Sequence, residues 1–154
     1  MLETPHVLVA AAIAVKITNP YLSLPLALGS HFILERVPHW NPHLNTEKKK
    51  FGKLTKSTFN IILIDSSLAL ILGTSIALKS SQNSLSFLIV MLACFLAAAP
   101  DLIEAPYYIL NSKSQFIESK WIPFKKSIQV DAKPFWGLLW QILISITAIY
   151  WALS

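Results

Sequence analysis

Apolar residues fall into five runs, separated by prolines, lysines or short polar breaks. The first spans about Thr4 to Ile17, with Pro5 where a first helical turn tolerates it. Asn19-Pro20 ends it, and a second run from about Tyr21 to Val37 stops at Pro38. Each is shorter than the roughly 20 residues a spanning helix needs, so the pair reads as a tight hairpin, tilted or partly re-entrant. Gly29 and Ser30 in the second run are small enough for another helix to approach closely. A third run, about Ser57 to Leu78, is joined by Lys79-Ser-Ser-Gln-Asn-Ser to a fourth, about Leu85 to Leu110. Pro100 and Pro106 predict a kink or break in the fourth. The last run, Pro134 to about Leu153, carries Trp136, Trp140, Tyr150 and Trp151 near its ends, as aromatic belts do. Between the last two runs, Asn111 to Lys133 is polar, with Trp121 and Phe124 among its lysines, and predicts an amphipathic interfacial helix. The pattern predicts an all-α fold: an integral membrane helical bundle of about five short hydrophobic helices plus one interfacial helix. Residues 1–154 form a single domain in this reading, with no internal repeat.

Composition sharpens the membrane assignment. Only 14% of residues are charged and 54% are hydrophobic, against roughly a quarter charged in soluble domains. Tyrosines and Cys94 aside, Asp65 is the only ionisable side chain from Ser57 to Leu78, and Asp101 and Glu104 are the only ones from Ser80 to Ser112. The lead-in Met1-Leu-Glu-Thr-Pro-His lacks a basic segment and no small-residue cleavage site follows, so the first run is not expected to be a cleaved signal peptide. Cys94, the single cysteine, lies in an apolar run and has no intrachain partner for a disulfide.

The net charge of +5 is concentrated in two loops. Lys48, Lys49, Lys50, Lys53 and Lys56 crowd one; Lys113, Lys120, Lys125, Lys126 and Lys133 crowd the other. The positive-inside bias and attraction to anionic lipid head groups account for them better than nucleic-acid binding does. Both loops and the N-terminus are therefore expected in the cytoplasm, with the protein in the plasma (inner) membrane and lipids as its partners.

That threading, set by lysines alone, brings four histidines and four acids into the cytoplasmic half. At about 1.5 Å per residue, Asp65 lies about 12 Å deep, Asp101 about 14 Å and Glu104 about 9 Å. His31 and Glu35 end the second helix at that face, His6 opens the first there, and His39 and His43 follow in the loop. Ionisable residues at such depth are costly and are functional candidates by default. His31 and Glu35, four apart, share a helical face, as do Asp101 and Glu104, three apart. Imidazole and carboxylate on one face suit zinc or a similar divalent ion, provided other helices complete the set. An ion between two close carboxylates relieves their repulsion. Glu35 or Glu104 is then free to act as general base. Competing readings are interfacial roles for His39 and His43, head-group contacts or pairing with a neighbouring acid for Arg36, and an interhelical hydrogen-bonding spot at Asp65-Ser66-Ser67.

The stretch Ser30-His-Phe-Ile-Leu-Glu-Arg-Val-Pro-His-Trp40 resembles a small-residue-His-x-x-x-acid-x-x-Pro-His-Trp signature. That signature belongs to small bacterial and archaeal membrane proteins described as membrane-bound metal-dependent hydrolases, loosely similar to zinc-dependent phospholipase C. Thr4-Pro5-His6 and Pro100-Asp101 fit the same resemblance, which spans about the first 43 residues and the 98–107 region. It implies a metal site of His6, His31, Glu35, His39 and Asp101. Glu35 stands where that pattern leads one to expect aspartate.

Taken together, these readings predict a hydrolase acting on a lipid or other membrane-derived ester, with zinc as the divalent ion. His6, His31, Glu35, His39 and Asp101 are the expected ligands, Glu104 and Glu35 the candidate bases, and Asp65 a supporting residue. The alternative is a non-enzymatic scaffold or accessory subunit, in which the same groups pair to hold helices in register. An ion or proton conduit ranks behind both, because the outer half offers only polar patches such as Thr74-Ser75.

Overall fold

The computed structural model describes all of residues 1–154. It is all-helical: α1 (Glu3–Lys16), α2 (Pro20–Leu34), α3 (Leu44–Phe51), α4 (Lys56–Ser80), α5 (Ser84–Leu102), α6 (Ala105–Ile109), α7 (Ile122–Ile128) and α8 (Pro134–Leu153). A π-helical turn, Ile117–Trp121, leads into α7. Local chemistry sets most of these boundaries. Asn19 caps α2 by accepting from the Tyr21 amide at 3.0 Å, with Pro20 in the first turn. Thr55 caps α4, and Asn83 with Ser86 forms a reciprocal capping box on α5. Pro100 stays inside α5, whereas Pro106 opens α6, so the fourth apolar run is broken around Ile103 and Glu104.

Three helices, α4, α5 and α8, are long and apolar enough to cross a membrane. The first two apolar runs become helices of 14 and 15 residues, shorter than a span. Of the five apolar helices expected, three thus have spanning length and apolarity, and α2 is a shorter apolar helix. α1 is the hub and packs against α2, α4, α5 and α8. Its surface of Ala10, Ala11, Ala12 and Ala14 meets Ala69, Ala77, Ala93, Ala97, Ala148 and Ala152. Small side chains on both sides let these backbones approach closely, which is how helices associate where lipid is as apolar as leucine. The outer faces of α4, α5 and α8 expose Leu63, Ile64, Leu70, Leu88, Phe95 and Ile146. An apolar surface of that extent suits lipid rather than water.

Gly29, read as a point of close approach, faces open space. The close contacts fall at two other glycines. A Cβ on Gly73 would lie 2.8 Å from Val7 Cγ1, and one on Gly137 would lie 2.7 Å from the His39 carbonyl carbon and closer still to the Trp40 amide nitrogen. The polar stretch expected as one interfacial helix is a π-turn, the short α7 and an extended arm. That arm returns to the second helix: Val130 donates to the Glu35 carbonyl at 3.1 Å and Ala132 to the His39 carbonyl at 2.8 Å. The first lysine-rich loop is also partly helical, as α3, with Gly52 in the left-handed conformation ending it.

Candidate metal centre

α1 and α2 each deliver a buried histidine, and α5 a half-buried aspartate, to the same end of the bundle. His6 lies one turn into α1, His31 one turn before the end of α2, and Asp101 at the end of α5. One ligand atom from each lies within 4.8 Å of the other two, close enough for a common metal ion. The His6 and His31 rings stack at 4.0 Å between centroids, 19° from parallel.

Hydrogen bonds fix which imidazole nitrogens are free. A carbonyl only accepts, so His31 Nδ1 must carry the proton it gives to the Ala97 carbonyl at 2.7 Å. That leaves a lone pair on His31 Nε2, which is buried and has no partner. His39 repeats the arrangement: Nδ1 donates to the Val37 carbonyl at 2.7 Å and Nε2 is left unpartnered. His6 Nε2 donates to Glu35 Oε1 at 3.3 Å, leaving its Nδ1 unpartnered. All three histidines are fully buried. An imidazole whose second nitrogen is pinned to a carbonyl or carboxylate is how metal-ligating histidines are oriented. Without an ion, each buried orphan costs about 1–3 kcal/mol.

Glu35 and His39 adjoin this triad. Glu35 bridges the imidazoles, with Oε2 3.7 Å from His39 Nε2 and Oε1 facing His6 and the Met1 nitrogen. Burial pushes the Glu35 carboxyl up, but its contacts with His6 and the Met1 nitrogen prevail and hold it below the usual carboxylate range. Burial lowers the pKa of His39, so its neutral, ligating form is favoured. Glu104 lies three residues past Asp101 and is buried, with Oε1 lacking a hydrogen bond. Burial and the charge of Glu35 push its carboxyl up to about 7.

Asp65 touches none of these side chains. Its carboxylate accepts from the Glu3 amide at 2.6 Å and from the Thr4 amide and hydroxyl at 3.3 and 2.7 Å, capping α1 from a neighbouring helix. His43 is exposed at the mouth of the site, and Arg36 is exposed with no ion pair. Asp101, alone of the triad, lines a cavity of about 290 Å³ whose wall also carries Glu3, Glu35, Asp65, Glu104, Asp131 and Lys125.

The structure adds three residues that the sequence did not single out. Lys125 contacts Asp101 and lies 3.4 Å from Glu104. In sequence it is one lysine among five in a polar loop, with nothing to mark it. Gln141 accepts from the Leu2 amide and donates to the Trp40 carbonyl, both at 2.8 Å, tying the start of the chain to the His39 loop. Gly137 lets that loop lie against α8; its only signal is a glycine in an apolar helix. Among known proteins, no family model, no curated protein and no solved structure matches this chain.

Proposed function

We propose that this protein is a membrane-bound, zinc-dependent hydrolase that cleaves an ester in a lipid or another membrane-derived molecule, at the cytoplasmic face of the plasma membrane. One observation carries the reading: His6, His31 and His39 each keep a buried imidazole nitrogen without a partner, and His6 and His31 group with Asp101 closely enough to share an ion. The resemblance around His31 and Pro38-His39 supports the same class. His6, His31 and Asp101 would hold the divalent ion, which would supply Lewis acidity and make a bound water more acidic.

The remaining residues have definable work. Glu35 holds the proton of His6 on Nε2, so that Nδ1 is presented as a ligand. Ala97 and Val37 do the same for His31 and His39 through their carbonyls. Glu104, buried in the cavity wall with a carboxyl near neutrality, is the general base that takes a proton from the attacking water. His39 is a further ligand or an orienting group.

The scaffold alternative draws on the Lys125–Asp101 and Lys125–Glu104 pairs, which lock α7 to the end of α5. It leaves the unpartnered imidazole nitrogens without an explanation. Turnover separates the two readings. Zinc-loaded, detergent-purified protein is assayed against p-nitrophenyl esters, p-nitrophenyl phosphate and short-chain phospholipids. At least one class is expected to be hydrolysed, with Glu104→Gln slower by about a hundredfold or more while retaining zinc. No hydrolysis of any class by folded, zinc-loaded protein would contradict the hydrolase reading.

A further inference from the structure

Lys125 is the one buried lysine of the chain, 9% exposed, whereas Lys113, Lys120, Lys126 and Lys133 around it are all exposed. Burying an ammonium is costly unless it is well paired, and an anchor for α7 does not require it. Trp121 already donates to the Pro100 carbonyl at 3.2 Å, and Phe124 packs on Phe32 with centroids 6.1 Å apart. Those contacts seat the π-turn and α7 against the end of α5 and aim Lys125 at Asp101 and Glu104.

The cavity beside them shows what a cation is needed for. Glu3, Glu35, Asp65, Asp101, Glu104 and Asp131 line it, against Lys125 and Lys126. Carboxylates so crowded repel one another unless cations stand among them. Lys125 serves two of the six, and one of these, Asp101, is also the carboxylate of the triad. His6 and His31 are fully buried and take no part in the cavity wall. Asp101 is therefore the member of the triad that an ion in the cavity meets first, and Lys125 already holds it.

A divalent ion and the Lys125 ammonium compete for that one carboxylate. The ion gains two imidazoles besides, whereas the ammonium has only Glu104, 3.4 Å away. An ion on Asp101 thus displaces Lys125, which turns to Glu104 and keeps donors free for the cavity.

We propose that Lys125 is a built-in stand-in for the metal ion: its ammonium holds Asp101 and closes the way to His6 and His31 until a divalent ion displaces it. The proposal rests on the metal-site reading and concerns how that site is kept closed and then loaded.

Two measurements on detergent-purified protein test it. Zinc affinity is first measured by competition with a chromogenic chelator, for wild type, Lys125→Met and Lys126→Met. Lys126 is the control, since it lines the same cavity but makes no ion pair. Lys125→Met is expected to bind zinc about tenfold more tightly than wild type or better, as freeing an occupied site raises its apparent affinity. Lys126→Met should stay close to wild type. The second measurement labels wild-type lysines with an amine-acylating reagent, with and without zinc, and maps them by mass spectrometry. Lys125 is expected to label slowly without zinc and to rise toward the rate of Lys126 with it. This arm needs no variant and decides the matter if Lys125→Met does not fold. Zinc affinity in folded Lys125→Met no higher than in Lys126→Met, or Lys125 equally protected with and without zinc, would overturn the proposal and leave the metal site standing. Failure of wild type to take up zinc at all would remove the metal reading, and this proposal with it.

Discussion

Asp65 is the only ionisable side chain of its helix between Ser57 and Leu78, where a lone carboxylate is expensive. It offsets that cost by accepting from two amides and a hydroxyl at the start of α1, which no residue of α1 itself caps. His6 sits two residues past Thr4, so this cap also fixes where one imidazole enters the site. Asp65→Ala is expected to destabilise the protein by about 1–3 kcal/mol, read as an earlier midpoint in detergent unfolding. An unchanged midpoint would mean that the carboxylate does not hold α1. At this scale the grouping of His6, His31 and Asp101 was legible, because a threading set only by lysines brings them to one end. The role of Asp65 as a cap was not, since nothing in Ile64-Asp65-Ser66 says which helix will start beside it. Lys125 was hidden for a similar reason: burial comes from the turn and aromatic anchors that carry it, not from its neighbours in sequence.

Element boundaries followed the punctuation of the chain closely. Asn19-Pro20 starts α2 and Pro106 opens α6, because proline cannot donate in a helix interior but suits a first turn. Close helix contacts were less readable, as the glycines show. Gly29 and Gly137 look alike in sequence, yet only Gly137 has backbone packed over it, with atoms of Trp40 and His39 within 2.7 Å of where a Cβ would stand. Which glycine a neighbour covers depends on helix rotation, and the low amphipathicity of these helices gives little to read it from. Gly137→Ala forces the His39–Trp40 backbone away from α8, and should cost about 1–3 kcal/mol and weaken zinc binding along with stability. Normal stability and zinc affinity in this variant would show that His39 does not depend on the α8 contact. The extended arm at 129–133 was also invisible in the pattern. Its pairing with Glu35 and His39 joins residues about ninety positions apart, beyond the reach of local periodicity.

Across the whole molecule, α4 leaves the end that carries His6, His31 and Asp101, α5 returns to it and α8 leaves again, so both lysine-rich loops lie at that end. Segregated charge made this arrangement readable from the sequence, since lysines gather at loops on one side of a membrane protein. The central place of α1 was less so: a short apolar run can be a strained span or a buried hub, and only its alanine-rich surface, packed on four neighbours, decides for the hub. A polar cluster at the shared end of such a bundle is costly to bury, and three unpartnered imidazole nitrogens make an ion the simplest compensation. Elemental analysis of the detergent-purified protein, wild type beside His31→Ala and Asp101→Ala, tests that claim most directly. About one divalent ion per wild-type chain is expected, zinc first, with its loss from both variants while their helicity is retained. Folded wild type that holds no metal after divalent ions are supplied would contradict the claim, and the cluster would then be a set of polar ties between helices.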